Sequence, residues 1–144
     1  MTEEQENLLR RVYTEQQIAS TTIERKGQQM IRVQAYLDNY HIGLLVLEEL
    51  QGKKTGEEML MNVGGEIYVH AKLVDSKKVT RHIGKGISIE QDITDAKKSI
   101  EDIISKLEKQ YGSLAQEYQQ LLGWSSKLGT QFQQLAGEIK KQEE

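Results

Sequence analysis

The sequence predicts an α+β fold: a long antiparallel coiled-coil helical hairpin with two small β-hairpins inserted between its helices. Three observations predict it. Apolar residues recur in a three-four alternation from Leu9 to Leu47, and the same alternation returns from Ile93 to Ile139. Between those two stretches, from Met59 to Gln91, the period drops to two, which sets every second side chain on one face of a pleated strand. The predicted segments are residues 1–51, a first coiled-coil helix; 52–92, the two β-hairpins; and 93–144, a second coiled-coil helix.

The first helix carries Leu9, Val12, Ala19, Ile23, Met30, Val33, Leu37, Tyr40, Leu44 and Leu47 as a heptad seam, with Gln16 and Lys26 filling its two gaps. Polar seam members lower stability but fix register. Some forty residues at about 1.5 Å each make a helix roughly 60 Å long. Ile42, Leu45 and Val46 widen the apolar face near its end, and Gly52 and Gly56 mark the exit.

In the middle segment Met59, Met61 and Val63 alternate on one strand, and Ile67, Val69, Ala71 and Leu73 on the next. Val79 and Ile83, then Ile87 and Ile89, repeat the pattern. Reversals fall at Gly64-Gly65, Asp75-Ser76-Lys77 and Gly84-Lys85-Gly86. Hairpins this short do not bury an apolar face by themselves. The expectation is therefore an oligomer interface on Val63, Ile67, Val69, Leu73, Val79, Ile83, Ile87 and Ile89, with docking onto the chain's own helices as the alternative.

The second helix opens with Asp92 or Thr94 as candidate N-cap. Its seam is Ile93, Ile100, Ile104, Leu107, Tyr111, Leu114, Tyr118, Leu121, Leu128, Phe132, Leu135 and Ile139, interrupted by Lys97 and Ser125. Folding back antiparallel brings the termini together and leaves two registers one heptad apart. In one, Ala19 faces Ser125 and Lys26 lies against Tyr118. Gly27, Gly43, Gly112, Gly123, Gly129 and Gly137 lie inside the helices, at about 1 kcal/mol each relative to alanine. Four of these six lie in the second helix from Gly112 on, which makes its distal half the weaker part.

Composition narrows the function classes. The 144 residues include no cysteine and no proline, and only 37% are hydrophobic. No disulfide or thiolate metal site is available, and a reducing, cytoplasmic compartment is expected. No apolar run reaches the length of a membrane span, and Met1–Glu6 does not read as a signal peptide. A formal charge of −3 argues against nucleic-acid binding. His41, His70 and His82 show no metal-ligand spacing, so no metal is expected. Gly84-Lys85-Gly86 and Gly52-Lys53-Lys54-Thr55 lack the spacing of a phosphate loop and read as turns. Neither catalysis nor a cofactor is expected.

The order helix, two hairpins, helix, together with Val63-Gly64, Tyr68-Val69, Ala71-Lys72-Leu73, Asp75, Lys78-Val79, Ile83-Gly84, Gly86 and Ile89-Glu90, resembles the alpha-class subunits of prefoldin. The sequence likeness is specific across Met59–Glu90, where Asn62 and His70 stand at positions that are commonly proline in the family. The short chain is more similar to archaeal than to eukaryotic members. The resemblance implies a hexamer of two alpha-class and four beta-class subunits whose hairpins join into an oligomeric β-barrel. It also implies an ATP-independent chaperone that holds unfolded polypeptides between coiled-coil tips and delivers them to a group II chaperonin. The alternative is a structural or adaptor coiled coil oligomerising through its hairpins.

Client binding is expected at the distal helix ends, on Leu8, Leu9, Val12, Trp124, Leu128, Phe132, Leu135 and Ile139. A helix end lacks neighbours on one side, and Gly123, Gly129 and Gly137 lower the cost of fraying.

Overall fold

The computed structural model describes residues 1–143. Two long helices enclose two small antiparallel hairpins in the chain order α1 (Glu3–Gln51), β1 (Glu58–Gly64), β2 (Ile67–Lys72), β3 (Lys78–Gly84), β4 (Ile87–Asp92) and α2 (Ile93–Glu143). Glu144, the last residue of the predicted third segment, lies outside the described residues. The chain forms two compact units. One holds Met1–Ala35 and the chain from Glu108 on; the other is Tyr36–Leu107.

A reciprocal cap starts α1. Thr2 Oγ1 accepts from the Gln5 amide at 3.3 Å, and Gln5 Oε1 accepts from the Thr2 amide at 3.0 Å, satisfying two donors that a helix start leaves unpaired. At the start of α2 the Ile93 amide donates to the Lys77 carbonyl at 2.9 Å, so strand pairing runs directly into the helix.

In the first unit α1 and α2 run antiparallel. Val12, Ala19 and Leu128 form a buried cluster, with Phe132 and Leu135 packed against it. Lys26 pairs with Glu117, a Cβ built on Gly27 would lie 3.7 Å from the Tyr118 ring, and one on Gly129 would lie 3.7 Å from Gln16. These neighbours match the register in which Lys26 lies against Tyr118. Steric need does not explain the helix glycines. At Gly27 and Gly129 a methyl would make ordinary contact, and at Gly43, Gly112, Gly123 and Gly137 it would meet open space.

In the second unit Leu47, Ile93 and Ala96 form the core, with Leu50, Val79 and Ile100 packed against it. Lys97 Nζ lies 3.6 Å from Glu48 beside it. Leu37 is 5% exposed, whereas Leu107 is half-buried. Leu37→Ala is therefore expected near the lower end of the about 2–5 kcal/mol range for a buried leucine, because a helix pair encloses less than a globular core. Leu107→Ala should be milder, and the urea midpoints of the two variants check that order.

Both hairpins close through two-residue turns. Gly65 (φ 58°) and Glu66 (φ 60°) lie between the paired Gly64 and Ile67, and Lys85 (φ 52°) and Gly86 (φ 73°) between Gly84 and Ile87. Two successive left-handed residues give the type I′ turn, whose twist matches that of the flanking strands. Each hairpin also has an irregularity before its turn, where Val63 and Ile83 are the extra residues. The link between the hairpins is held by Asp75 Oδ1, which accepts from the Lys77 amide at 2.9 Å, and by a 3.0 Å hydrogen bond from the Thr55 hydroxyl to that of Ser76.

Candidate functional site

The largest apolar exposure of the second unit is on the hairpins, and strand register dictates it. Met59 pairs with Ala71 and Met61 with Val69, so these residues and Ile67 share one face of the first hairpin. The opposite face carries Glu58, Leu60, Asn62, Tyr68, His70 and Lys72. In the second hairpin Val79 pairs with Gln91 and Arg81 with Ile89, which sets these four residues on one face with Ile87. Each sheet has only two strands, so every strand is an open edge and no closed barrel exists among the described residues of the single chain.

The eight expected interface residues divide on this framework. Val63, Ile67, Val69, Ile83 and Ile87 are exposed, from 39% at Val69 to 61% at Ile67. Leu73 and Ile89 are half-buried. Val79 packs against the chain's own Leu47–Ile93–Ala96 core and so secures the second hairpin to the helices. Arg81 escaped the period-two reading although its position falls on the apolar face. It is half-buried, and its Nε has no acceptor among the described residues.

Ile42, Leu45 and Val46 do not thicken the seam as their spacing suggested. They are 61%, 65% and 48% exposed, because the seam positions Tyr40, Leu44 and Leu47 already occupy the side of α1 turned toward α2. Together they extend the solvent-facing apolar surface of this unit.

The expected client-binding residues lie in the first unit and also divide. Val12 and Leu128 are buried against each other's cluster, and Phe132 and Leu135 pack onto it. Leu9 and Ile139 are half-buried, and Leu8 and Trp124 are 39% and 37% exposed. An open groove of about 360 Å³ runs between Met1, Glu6, Leu9, Arg10, Tyr13 and Phe132. Glu6 and Arg10 pair at 3.8 Å on its border. Sequence reasoning missed Met1 and Tyr13. The signal was there for Tyr13, an aromatic one position off the seam at Val12 and 53% exposed.

No group of three or more His, Asp or Glu residues able to hold a metal occurs among the described residues. No described helix is long and apolar enough to cross a membrane.

The family described as "Prefoldin subunit" matches residues 19–138. Prefoldin subunit alpha of Archaeoglobus fulgidus is 25% identical over 112 residues, covering 78% of this chain and 82% of that protein. The Methanococcus aeolicus subunit is 32% identical over 102 residues, covering 60% and 71%. The Methanococcoides burtonii subunit is 26% identical over 133 residues, covering 90% and 96%. Among solved structures, filamentous PFD from Methanocaldococcus jannaschii, determined by cryo-EM, is similar at a TM-score of 0.65 and 27% identity. The likeness covers 79% of this chain and 94% of that one.

Proposed function

The chain belongs to the prefoldin family, a family of chaperones rather than enzymes, and from that premise we propose that it is an alpha-class subunit of a cytoplasmic hexameric holdase. In this reading its hairpins join those of a second alpha-class subunit and four beta-class subunits in a shared β-barrel body. The distal helix ends capture unfolded polypeptides without ATP, and the complex passes them to a group II chaperonin. The observation that carries the reading is the pairing of two kinds of exposed apolar surface on one chain: hairpin faces with open edges, and a small groove beside Leu9, Tyr13 and Phe132. Exposed apolar patches on monomers mark interaction sites.

The two surfaces suit different partners. A flat face with unpaired strand edges matches another hairpin, since both apolar side chains and backbone groups find counterparts. An open groove with one ion pair on its border suits isolated apolar side chains of a disordered chain, bound weakly at each of several helix ends.

Light scattering by a heat-unfolded client tests the proposal. The chain mixed with a beta-class partner should suppress aggregation at near-stoichiometric ratios without nucleotide. Unchanged scattering from an assembled complex would favour the second reading, a structural coiled coil that oligomerises through its hairpins. The likeness to a filamentous assembly supports that second reading.

A further inference from the structure

We infer that Arg81 decides which chain the second hairpin accepts: it reserves that apolar face for a beta-class subunit presenting an aspartate or glutamate, and excludes copies of this chain. Strand register places it there. Val79 pairs with Gln91 and Arg81 with Ile89, so Arg81 shares one face with Val79, Ile87, Ile89 and Gln91. Lys78, Glu90 and Asp92 lie on the opposite face of the same sheet, turned away from it. Among the described residues of β3 and β4, Arg81 is thus the one charge on the apolar face.

Its bonding is incomplete. Arg81 is half-buried, and its Nε is buried with no acceptor among the described residues. Gln91 Oε1, on the same face, is likewise buried without a donor, while Gln91 Nε2 donates to Ser99 Oγ at 3.5 Å. A neutral acceptor such as Gln91 Oε1 can share a guanidinium's donors but does not cancel its charge, and a guanidinium does not lose its proton in a protein. Position adds to this. Val79 packs on the chain's own helices, whereas Ile87 toward the turn is 54% exposed. Arg81 stands between them, where the face leaves the core of its own chain and opens to a neighbour. Once a neighbour covers Ile87 and excludes water, this cation has to meet an anion.

A copy of this chain does not bring one to the contact. The apolar face of the first hairpin is Met59, Met61, Ile67, Val69 and Ala71, with no charge among them. Glu57 continues that face past the end of β1, but its Oε2 already accepts from the Lys54 amide at 2.9 Å. Glu66 sits in the turn, beyond the paired strands. A second copy of the second hairpin brings another Arg81, which sets like charge against like. Identical partners therefore cover the cation without pairing it. A chain of different sequence with a carboxylate opposite Arg81 is favoured both by the ion pair and by the cost of the alternatives. The guanidinium fork can hold such a carboxylate through two parallel N–H donors. The first hairpin imposes no such choice, since its apolar face is uncharged.

The inference rests on the hairpin-mediated assembly proposed above, and a beta-class subunit is the probe. Full-length Arg81→Met, Arg81→Glu and Arg81→Lys are each mixed with that subunit, and association is read by sedimentation velocity. Arg81→Met should weaken it roughly tenfold, and Arg81→Glu roughly a hundredfold, because a carboxylate then faces a carboxylate. Arg81→Lys keeps the charge but not the fork, and should lose less than Arg81→Met. A residue that only supported the fold would lower the stability of the free chain. Here the urea midpoint of free Arg81→Met should be unchanged or higher, because the substitution removes a half-buried cation without a partner. That variant should also self-associate more tightly than the unmodified chain, since two second hairpins can then meet without opposed charges.

Association with the beta-class subunit that is indifferent to Arg81→Met and Arg81→Glu overturns the proposal. So does a lowered urea midpoint for free Arg81→Met. Self-association of the unmodified chain that Arg81→Met abolishes overturns it too, because the anion would then lie on a copy of this chain. These three results remove the role of Arg81 alone. An unmodified chain that does not associate with the beta-class subunit removes the assembly reading, and this inference with it.

Discussion

Val69→Asp should abolish assembly, as read by native mass, while far-UV circular dichroism shows the helices still formed. Val69 pairs with Met61, lies between Ile67 and Ala71 on the apolar face of the first hairpin, and is 39% exposed in the single chain. It belongs to neither helix-packing cluster, so the substitution spares the cores around Leu128 and Leu47. At an interface the variant forfeits about 1.5–3 kcal/mol of apolar burial per copy. It also places an unpaired carboxylate where solvent is excluded, at several kcal/mol more. Together these exceed about 4 kcal/mol, a loss of roughly a thousandfold in each association constant. An intact complex at normal mass would show that the hairpin faces are not the assembly surface.

The second large effect is expected at the distal ends. Deleting Met1–Val12 together with Leu128–Glu144 should preserve assembly and lower client protection at least tenfold, measured by light scattering. The deletion removes the groove formed by Met1, Leu9, Tyr13 and Phe132, and also the buried pair Val12 and Leu128. It leaves Val33, Leu37, Ile104 and Leu114 buried between the remaining helices. A narrower variant, Tyr13→Ser, separates groove from core, since Tyr13 lines the groove and is half exposed. It should weaken capture severalfold with no loss of helix content, the deficit multiplied by the number of ends that engage one client. Removing Lys140–Glu144 alone should change little. Full protection by the double deletion would move client binding away from the helix ends.

The architecture was legible because each element carries a periodic signal with a physical stop. Gln51 and Ile93 bound the helices where the three-four spacing begins or ends, and the glycine pairs at 64–65 and 84–86 supply the left-handed conformations that tight hairpins require. Heptad spacing could not choose the register, because a shift of seven residues preserves every seam position. Side-chain detail off the repeat chose it, through Lys26 beside Glu117 and Gly27 beside Tyr118.

The candidate sites were less legible, since period alone does not say which apolar neighbour is already occupied. Val12 and Leu128 share a stripe with Leu9 and Phe132, yet only the latter two reach the groove. Val79 reads like Ile87 in the sequence, but it packs on Leu47 and Ile93. Arg81 carries no apolar signal of its own, so a period-two pattern of apolar residues does not register it although it shares the face of Val79, Ile87 and Ile89. Ile42, Leu45 and Val46 read as widening the apolar face beside the seam, yet all three are exposed.

The paired turns have a thermodynamic consequence. Glu66 and Lys85 hold left-handed backbone without being glycine, at about 1 kcal/mol each, in sheets of two strands whose edges are all open. A hairpin under those conditions has little stability of its own, so its order is linked to occupancy by a neighbour. Amide hydrogen exchange in β1–β4 should therefore slow as subunit concentration rises, while exchange around Leu37 and Ile104 in the helices follows the stability of the helix pair. Mass action thus couples the folding of the insert to the amount of protein present.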